Sequence, residues 1–269
     1  MIEGSNPSPG FFIMKILIHK GKKAVVEGRE YTVSKQKKYF VADTSKDFHT
    51  EFGIISKKDL QKKSGTIKTN KGKEFAIFEA KFLDQYQKIK RLPQIIPLKD
   101  LGFILAQTGV DKKSKVVDAG GGSGGLSLFL ANLVKEVTTY EINKDCIPLI
   151  KDNIKFLDIK NITLKEKSIY DGISEKDVDL ITLDLPEPWK AIKHAEKALK
   201  VGGFLVNYSP HILSTSDFVN ETNKSENFIH IKTIEVIEKE WEVDGRKLRP
   251  KSRQVIHSGF LSFFRKIRG

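Results

Sequence analysis

Three carboxylates in this 269-residue chain stand where apolar runs end. Asp118 lies in Val116–Val117–Asp118–Ala119, directly ahead of the turn Gly120–Gly121–Gly122–Ser123–Gly124–Gly125–Leu126–Ser127. Glu141 closes the next apolar run, 23 residues after Asp118. Asp184 sits in Leu183–Asp184–Leu185–Pro186–Glu187–Pro188–Trp189. A dense glycine turn between a strand and a helix brings backbone N–H groups close to a nucleotide-like ligand. An acid two residues before the first glycine can face an amino group and would be poorly placed beside a pyrophosphate. An acid at the end of the second strand can accept both hydroxyl protons of a ribose. An Asp followed by two prolines is fixed in a rigid loop, at the strand end where open α/β sheets bind ligands. Each has a plain structural alternative: Asp118 caps its own turn, Glu141 is an ordinary surface acid, Asp184 caps the next helix and Trp189 fills the core.

The elements that must position these groups follow from periodicity. Strands are expected at Lys115–Ala119, Val137–Ile142, Ile162–Glu166, Val178–Leu183, Phe204–Tyr208, Ile231–Glu240 and Val255–Phe264. Helices are expected over 125–134, 145–157, 188–199 and 213–226, with another from Leu98 to about Thr108 closed by Gly109. Strand–helix alternation means parallel pairing with crossovers. The last two strands have only the loop Val243–Arg253 between them, so they should pair antiparallel at the sheet edge. Seven strands with a final antiparallel hairpin match the class I S-adenosylmethionine-dependent methyltransferase fold: α/β, a mostly parallel doubly wound sheet. The glycine turn alone serves NAD, FAD and S-adenosylmethionine alike; Asp118 ahead of it and Glu141 after it point to S-adenosylmethionine. Ahead of this domain, short runs such as Lys15–Ile18, Tyr31–Val33, Tyr39–Val41, Gly53–Ile55 and Phe75–Phe78 predict a small β-domain over residues 14–82. Residues 83–114 read as a connector followed by a helix, in which Pro93 and Pro97 exclude a continuous helix. Residues 115–269 form the Rossmann-like domain.

Charge narrows the partner. The net charge is +13, of which residues 1–100 carry +10 and residues 101–269 only +3. A basic N-terminal third points to a polyanion, nucleic acid first, with a solvated lysine-rich face as the alternative. No apolar run approaches the ~18–20 residues of a membrane span. Residues 1–13 contain Ser5–Asn6–Pro7–Ser8–Pro9–Gly10 and read as a disordered extension without the features of a signal peptide. The single cysteine, Cys146, permits neither an internal disulfide nor a metal cluster, and a cytoplasmic enzyme is the expectation.

From about Phe52 to Arg265 the chain resembles the TrmI-type tRNA (adenine-N1)-methyltransferases. The resemblance is carried by Pro93–Gln94–Ile95–Ile96 with Lys99–Asp100, the Asp118–Gly124 loop, Asp184–Trp189, Arg249–Pro250 and His257–Ser258–Gly259–Phe260–Leu261. It implies methyl transfer from S-adenosylmethionine to N1 of adenine in the tRNA T loop, at position 58 and in some members also 57, by a homotetramer. Asp184 matches the family's active-site aspartate and Glu141 its ribose ligand. Gly120, Gly122, Ser123, Gly124, Gly125, Leu126 and Ser127 fall in its methionine-side loop, with Asp118 ahead of it, and Gln94 lies in the segment that covers the cofactor. Two positions depart from the pattern. Ser168 stands where the family often has an acid facing the cofactor's adenine, which makes for a weaker contact. Pro97 replaces an aromatic or His beside the target-base pocket, which removes a stacking ring. Two rival readings are a tRNA-binding paralogue without catalysis and a protein or small-molecule methyltransferase on the same fold. The latter lack a basic β-domain and the Asp184–Trp189 stretch; the former is opposed by the intact Asp118, Glu141 and Asp184.

Overall fold

The computed structural model describes residues 13–26, 29–92, 95–245, 247–252, 254–255 and 257–269, so the expectations for the extension before Ile13, for Pro93 and for Gln94 lie outside them. The chain divides into two compact units, Met1–Lys88 and Ile89–Gly269.

The first unit contains strands β1 (Lys15–His19), β2 (Lys22–Val26), β3 (Arg29–Ser34), β4 (Lys37–Val41), β5 (Phe48–Thr50), β6 (Gly53–Ile55), β7 (Ser64–Lys68) and β8 (Glu74–Glu79). It also holds the short helices α1 (Lys57–Leu60) and α2 (Phe82–Tyr86), and α2 occupies part of what the sequence suggests is connector. Four strands form an antiparallel sheet in the order β4-β1-β8-β7. Alternate residues point inward, so Leu17, Val41, Ile67, Phe75 and Ile77 form one buried cluster with Ile55 and Leu60. The lysines on the outward positions stay in water. Lys63, Lys71 and Lys73 are exposed and make no ion pair among the described residues.

The second unit is built on a seven-stranded sheet. Its strands are β9 (Lys115–Ala119), β10 (Glu136–Tyr140), β11 (Ile162–Lys165), β12 (Val178–Leu183), β13 (Leu199–Ser209), β14 (Phe228–Glu235) and β17 (Phe260–Lys266), ordered β11-β10-β9-β12-β13-β17-β14. The chain winds outward from β9 in one direction, then returns to lay β12 on its other side, so the order reverses beside β9. The first five strands pair in parallel, whereas β17 runs antiparallel to both β13 and β14. The final pair is thus antiparallel as expected, but its last strand inserts between β13 and β14 and leaves β14 at the edge. β17 qualifies for that inner place because Leu261, Ser262, Phe263 and Phe264 are buried on both faces. The span 237–258 differs more. Here β14 ends at Glu235, and part of the expected loop forms a separate hairpin, β15 (Trp241–Asp244) with β16 (Lys247–Pro250).

The helices are α3 (Leu98–Thr108), α4 (Gly125–Ala131), α5 (Cys146–Leu157), α6 (Ile192–Ala198) and α7 (Ile212–Thr222). Gly109, at φ 63°, ends α3 in the left-handed conformation that glycine adopts without a Cβ penalty. Pro188 opens a 3₁₀ turn, Pro188–Ala191, before α6, which divides the single helix expected there. Phe218 of α7 packs edge-on against Phe264 at 5.6 Å, while Phe103 of α3 meets Phe263 at 5.9 Å. Adjacent strand residues face opposite ways, so these pairs mark the two covered faces of the sheet. Among the described residues no helix is long and apolar enough to cross a membrane. Phe264→Ala should cost about 3–5 kcal/mol of unfolding free energy, as expected for truncating a buried aromatic. Urea denaturation measures it, and a loss below about 1 kcal/mol would show that this face of the sheet is not tightly packed.

Candidate active site

The glycine turn leaves the C-terminal end of β9, next to the reversal in strand order. Gly120 has φ +84°, and a Cβ built there would lie 2.0 Å from the carbonyl oxygen of Asp184. Any side chain is therefore excluded. The Asp184 amide donates to the Ala119 carbonyl at 2.9 Å, so the loop after β12 is pinned to the end of β9. Gly120 and Gly121 both donate to the Tyr140 carbonyl, at 3.2 and 3.1 Å, which ties the same turn to the end of β10. Three strand ends thus converge, and each contributes one carboxylate.

Asp118 is 2% exposed. Its partners across the sheet are Thr139 on one side and Thr182 on the other. Thr182 Oγ1 donates to it at 2.7 Å and Thr139 Oγ1 at 3.4 Å. Burial pushes the Asp118 carboxyl up to about 6, against the pull of the two hydroxyls and with a further push from Glu141. Glu141 is also buried, and both its oxygens meet backbone amides: Oε1 accepts from Ile142 and Asn143, Oε2 from Gly122, all at 2.7 Å. Oε2 retains a lone pair for a second donor, while both lone pairs of Oε1 are already engaged. Asp184 is partly open to solvent; burial, then the charges of Asp118 and Glu141, push it up to about 7.

The rest of the turn is shaped by close packing. Ser127 Oγ donates to the Gly124 carbonyl at 3.3 Å, and Leu126 is 6% exposed. Gly122 and Gly124 have φ of 55° and 84°. Gly125 opens α4 and is buried. Ser123 is buried, and its Oγ has no hydrogen-bond partner among the described residues. Such an orphan is costly unless a ligand meets it. Ser168 caps the 3₁₀ turn Ile169–Asp171 by accepting from the Tyr170 amide at 3.1 Å, so its own hydroxyl proton remains to be donated. The structure therefore brings Asp118, Glu141, Asp184 and the turn Gly120–Ser127 to one end of the sheet, with Ser168 in the turn that follows β11.

Several residues of this region are not singled out by sequence reasoning. Thr139 and Thr182 are polar interruptions of apolar strands, and only the register puts both beside Asp118. Asn153 lies on the inward stripe of α5 with Cys146 and Ile150, where an amide stands out as a signal. Its Nδ2 donates to the Ser123 and Lys90 carbonyls, at 2.9 and 2.8 Å, and its Oδ1 accepts from the Lys90 amide at 2.9 Å. The glycine turn is thereby tied to the segment that leads into α3. Pro97 precedes the first turn of α3, its carbonyl accepting from Asp100 and Leu101.

The family model for the tRNA methyltransferase complex GCD14 subunit matches residues 87–264, most of the chain. The chain belongs to this family. Methanocaldococcus jannaschii tRNA (adenine(57)-N(1)/adenine(58)-N(1))-methyltransferase TrmI is 32% identical, over 85% of this chain and 91% of its own. A Thermus thermophilus tRNA (adenine(58)-N(1))-methyltransferase TrmI is 30% identical, over 81% of this chain and 88% of its own. Among solved structures, a Thermotoga maritima protein titled SAM-dependent O-methyltransferase superposes with a TM-score of 0.77 at 26% identity, covering 95% of this chain and 93% of the other. Aquifex aeolicus tRNA (m1A58) methyltransferase TrmI gives 0.73 at 19%, covering 95% and 97%, a likeness of fold. The chain is a methyltransferase with the class I fold, and the GCD14 match spans all three carboxylates.

The raised carboxyls make a prediction about pH. In the unfolded chain an Asp titrates near its ordinary 3.8, below the folded values of about 6 and 7. Between about pH 4 and pH 7 the folded protein holds protons that the unfolded chain has released, so stability falls as pH rises and levels off above that window. Asp184→Asn removes one source of that fall. It should be more stable than the parent by about 2 kcal/mol near pH 8, after allowing for solvent screening, and equal to it near pH 4. Urea denaturation at the two pH values checks this; no gain near pH 8 would contradict it.

Proposed function

We propose that the protein transfers the methyl group of S-adenosylmethionine to N1 of adenine in the tRNA T loop, at position 58 and, as the name of the M. jannaschii relative suggests, also at 57. The observation that carries the proposal is Asp184: a carboxyl at the end of β12, raised to about 7, beside a glycine turn and two further acids. A group whose proton affinity lies near neutrality is suited to accept a proton during a reaction at that pH.

The donor set fits this cofactor. Its ammonium and sulfonium are cations that three crowded acids would favour, its ribose offers a hydroxyl to the lone pair left on Glu141 Oε2, and its carboxylate offers a partner to the orphaned Ser123 hydroxyl. Asp118 would face the ammonium, directly or through water, and Ser168 the adenine. Gly120, Gly122, Gly124, Gly125, Leu126 and Ser127 would shape the methionine side, and the segment carrying Gln94 would cover it. When bound, the cofactor supplies an electrophilic methyl on a cationic sulfur.

The chain's own residues have three tasks. First, the site must receive a base whose N1 lies on its pairing edge, so that base has to leave its stack and partner. Second, the N1 lone pair must be aimed at the methyl, and most of the rate gain comes from that alignment. Third, as N1 gains the methyl the ring becomes cationic; Asp184 accepts a hydrogen bond from the exocyclic amino group, stabilises the charge and can take the proton. Lys63, Lys71 and Lys73 of the N-terminal unit support contact with tRNA phosphates, which carry affinity without reading bases. Exposed Trp241, Val243 and Leu248 on the β15–β16 hairpin support assembly of several copies, a homotetramer in this reading, acting in the cytoplasm.

Incubating an unmodified tRNA transcript with labelled cofactor and mapping the nucleosides tests the proposal. N1-methyladenosine at 58, alone or with 57, is expected; label on another atom or none would refute it. Asp184→Ala should still bind the cofactor by calorimetry, about tenfold more weakly because one of the three acids is gone, and lose about 10²-fold or more in turnover. Binding of tRNA should weaken steeply between about 50 and 500 mM salt, whereas a flat dependence would remove the phosphate contacts from the account.

A further inference from the structure

A second buried polar cluster lies beside the site, and the proposed chemistry does not use it. Asp100 is fully buried in the first turn of α3. Lys99 donates to both its oxygens, at 3.0 and 3.1 Å, and also to Ser258 Oγ and the Val236 carbonyl, both at 2.5 Å. The Ser258 hydroxyl donates in turn to Asp100 Oδ2 at 2.7 Å. Three segments far apart in sequence, the start of α3, the exit from β14 and the approach to β17, are joined here by charge-assisted bonds. A buried ion pair is no evidence of stabilisation, because desolvation offsets its attraction. What it does provide is a fixed geometry.

The residue fixed is Tyr208. Its hydroxyl donates to the Ser258 carbonyl at 2.6 Å. Its ring lies over Gly259, where an added Cβ would come within 2.6 to 2.8 Å of the phenol. β12 and β13 pair in parallel with Leu183 opposite Asn207, so Asp184 and Tyr208 are the next residues along at the same end of the sheet. Burial, then the charges of Asp100 and Asp184, push the phenol up to about 12, which keeps it a donor to Ser258 at working pH. With its hydroxyl committed, Tyr208 is held within reach of the Asp184 charge.

We propose that Lys99, Asp100 and Ser258 are positioning residues that hold Tyr208 in one orientation beside Asp184, and through it set the angle at which the acceptor base meets that carboxylate. The inference rests on the reading of Asp184 as the group that receives the base. It predicts that the network acts on turnover rather than on cofactor binding, and that its parts act as one unit.

The test uses the full-length protein with Ser258→Ala, Ser258→Thr, Tyr208→Phe and the Ser258→Ala/Tyr208→Phe double variant. Ser258→Thr keeps the hydroxyl and should stay within about twofold of the parent kcat, whereas Ser258→Ala and Tyr208→Phe should each lose about tenfold, with cofactor affinity unchanged. The double variant should lose no more than the worse single one, because both remove the same restraint. Losses that multiply, or full activity in Ser258→Ala, would overturn the proposal. A second readout does not depend on turnover: with tyrosine labelled at Cζ, the Tyr208 resonance should shift in Ser258→Ala and not in Ser258→Thr. A resonance indifferent to Ser258→Ala refutes the network, whereas a parent protein inactive on tRNA refutes the function and leaves the network to be judged by the resonance.

Discussion

The approach of two loops governs this structure. Where Gly120 leaves β9, the Asp184 carbonyl occupies the space a side chain would need, and the Asp184 amide is bonded to Ala119. Neither loop can move without the other. Because the turn is also bonded to Tyr140, the ends of β9, β10 and β12 are locked together. Asp118, Glu141 and Asp184 are crowded at one end of the sheet's inner strands as a consequence, before any ligand is considered.

That crowding is electrostatically unfavourable in the protein alone. Burial and mutual repulsion raise Asp118 and Asp184 well above an ordinary aspartate, and the hydroxyls of Thr182, Thr139 and Ser127 pull only Asp118 part of the way back. A cation entering the cluster would reverse the sign of the problem, since each acid then gains from being charged. The same arrangement that lowers stability at neutral pH therefore raises affinity for a positively charged ligand. Such an exchange of stability for function is what a site rather than a structural core would show.

Much of this was legible in the residue pattern because it depends on local rules. An apolar run ending in Asp118 and a glycine turn can only be a strand end, and the Leu98–Thr108 helix announces its own stop at Gly109. The two prolines after Asp184 mark a loop. What stayed hidden depends on pairing across the chain. Periodicity says that residues 260–266 form a buried strand but not that the strand slides between β13 and β14. Nor does it say that Thr139 and Thr182 flank Asp118, which needs the register. The hairpin Trp241–Pro250 alternates only weakly, with exposed Val243 and Leu248 facing solvent, and so reads as loop. Lys99, Asp100 and Ser258 were visible as motif residues, yet their joint hold on Tyr208 requires residues about 160 apart to meet.

The central claim is that Asp184 is a carboxyl held near neutrality by burial and by the charges of Asp118 and Glu141 until a cation joins them. Its titration, followed by carbon NMR on aspartate-labelled protein with Asp184→Asn to assign the signal, tests this directly. The free protein should show a midpoint near 7, and saturating S-adenosylmethionine should lower it by at least about one unit. A midpoint near 4 in the free protein, or one unmoved by the cationic cofactor, would contradict the account.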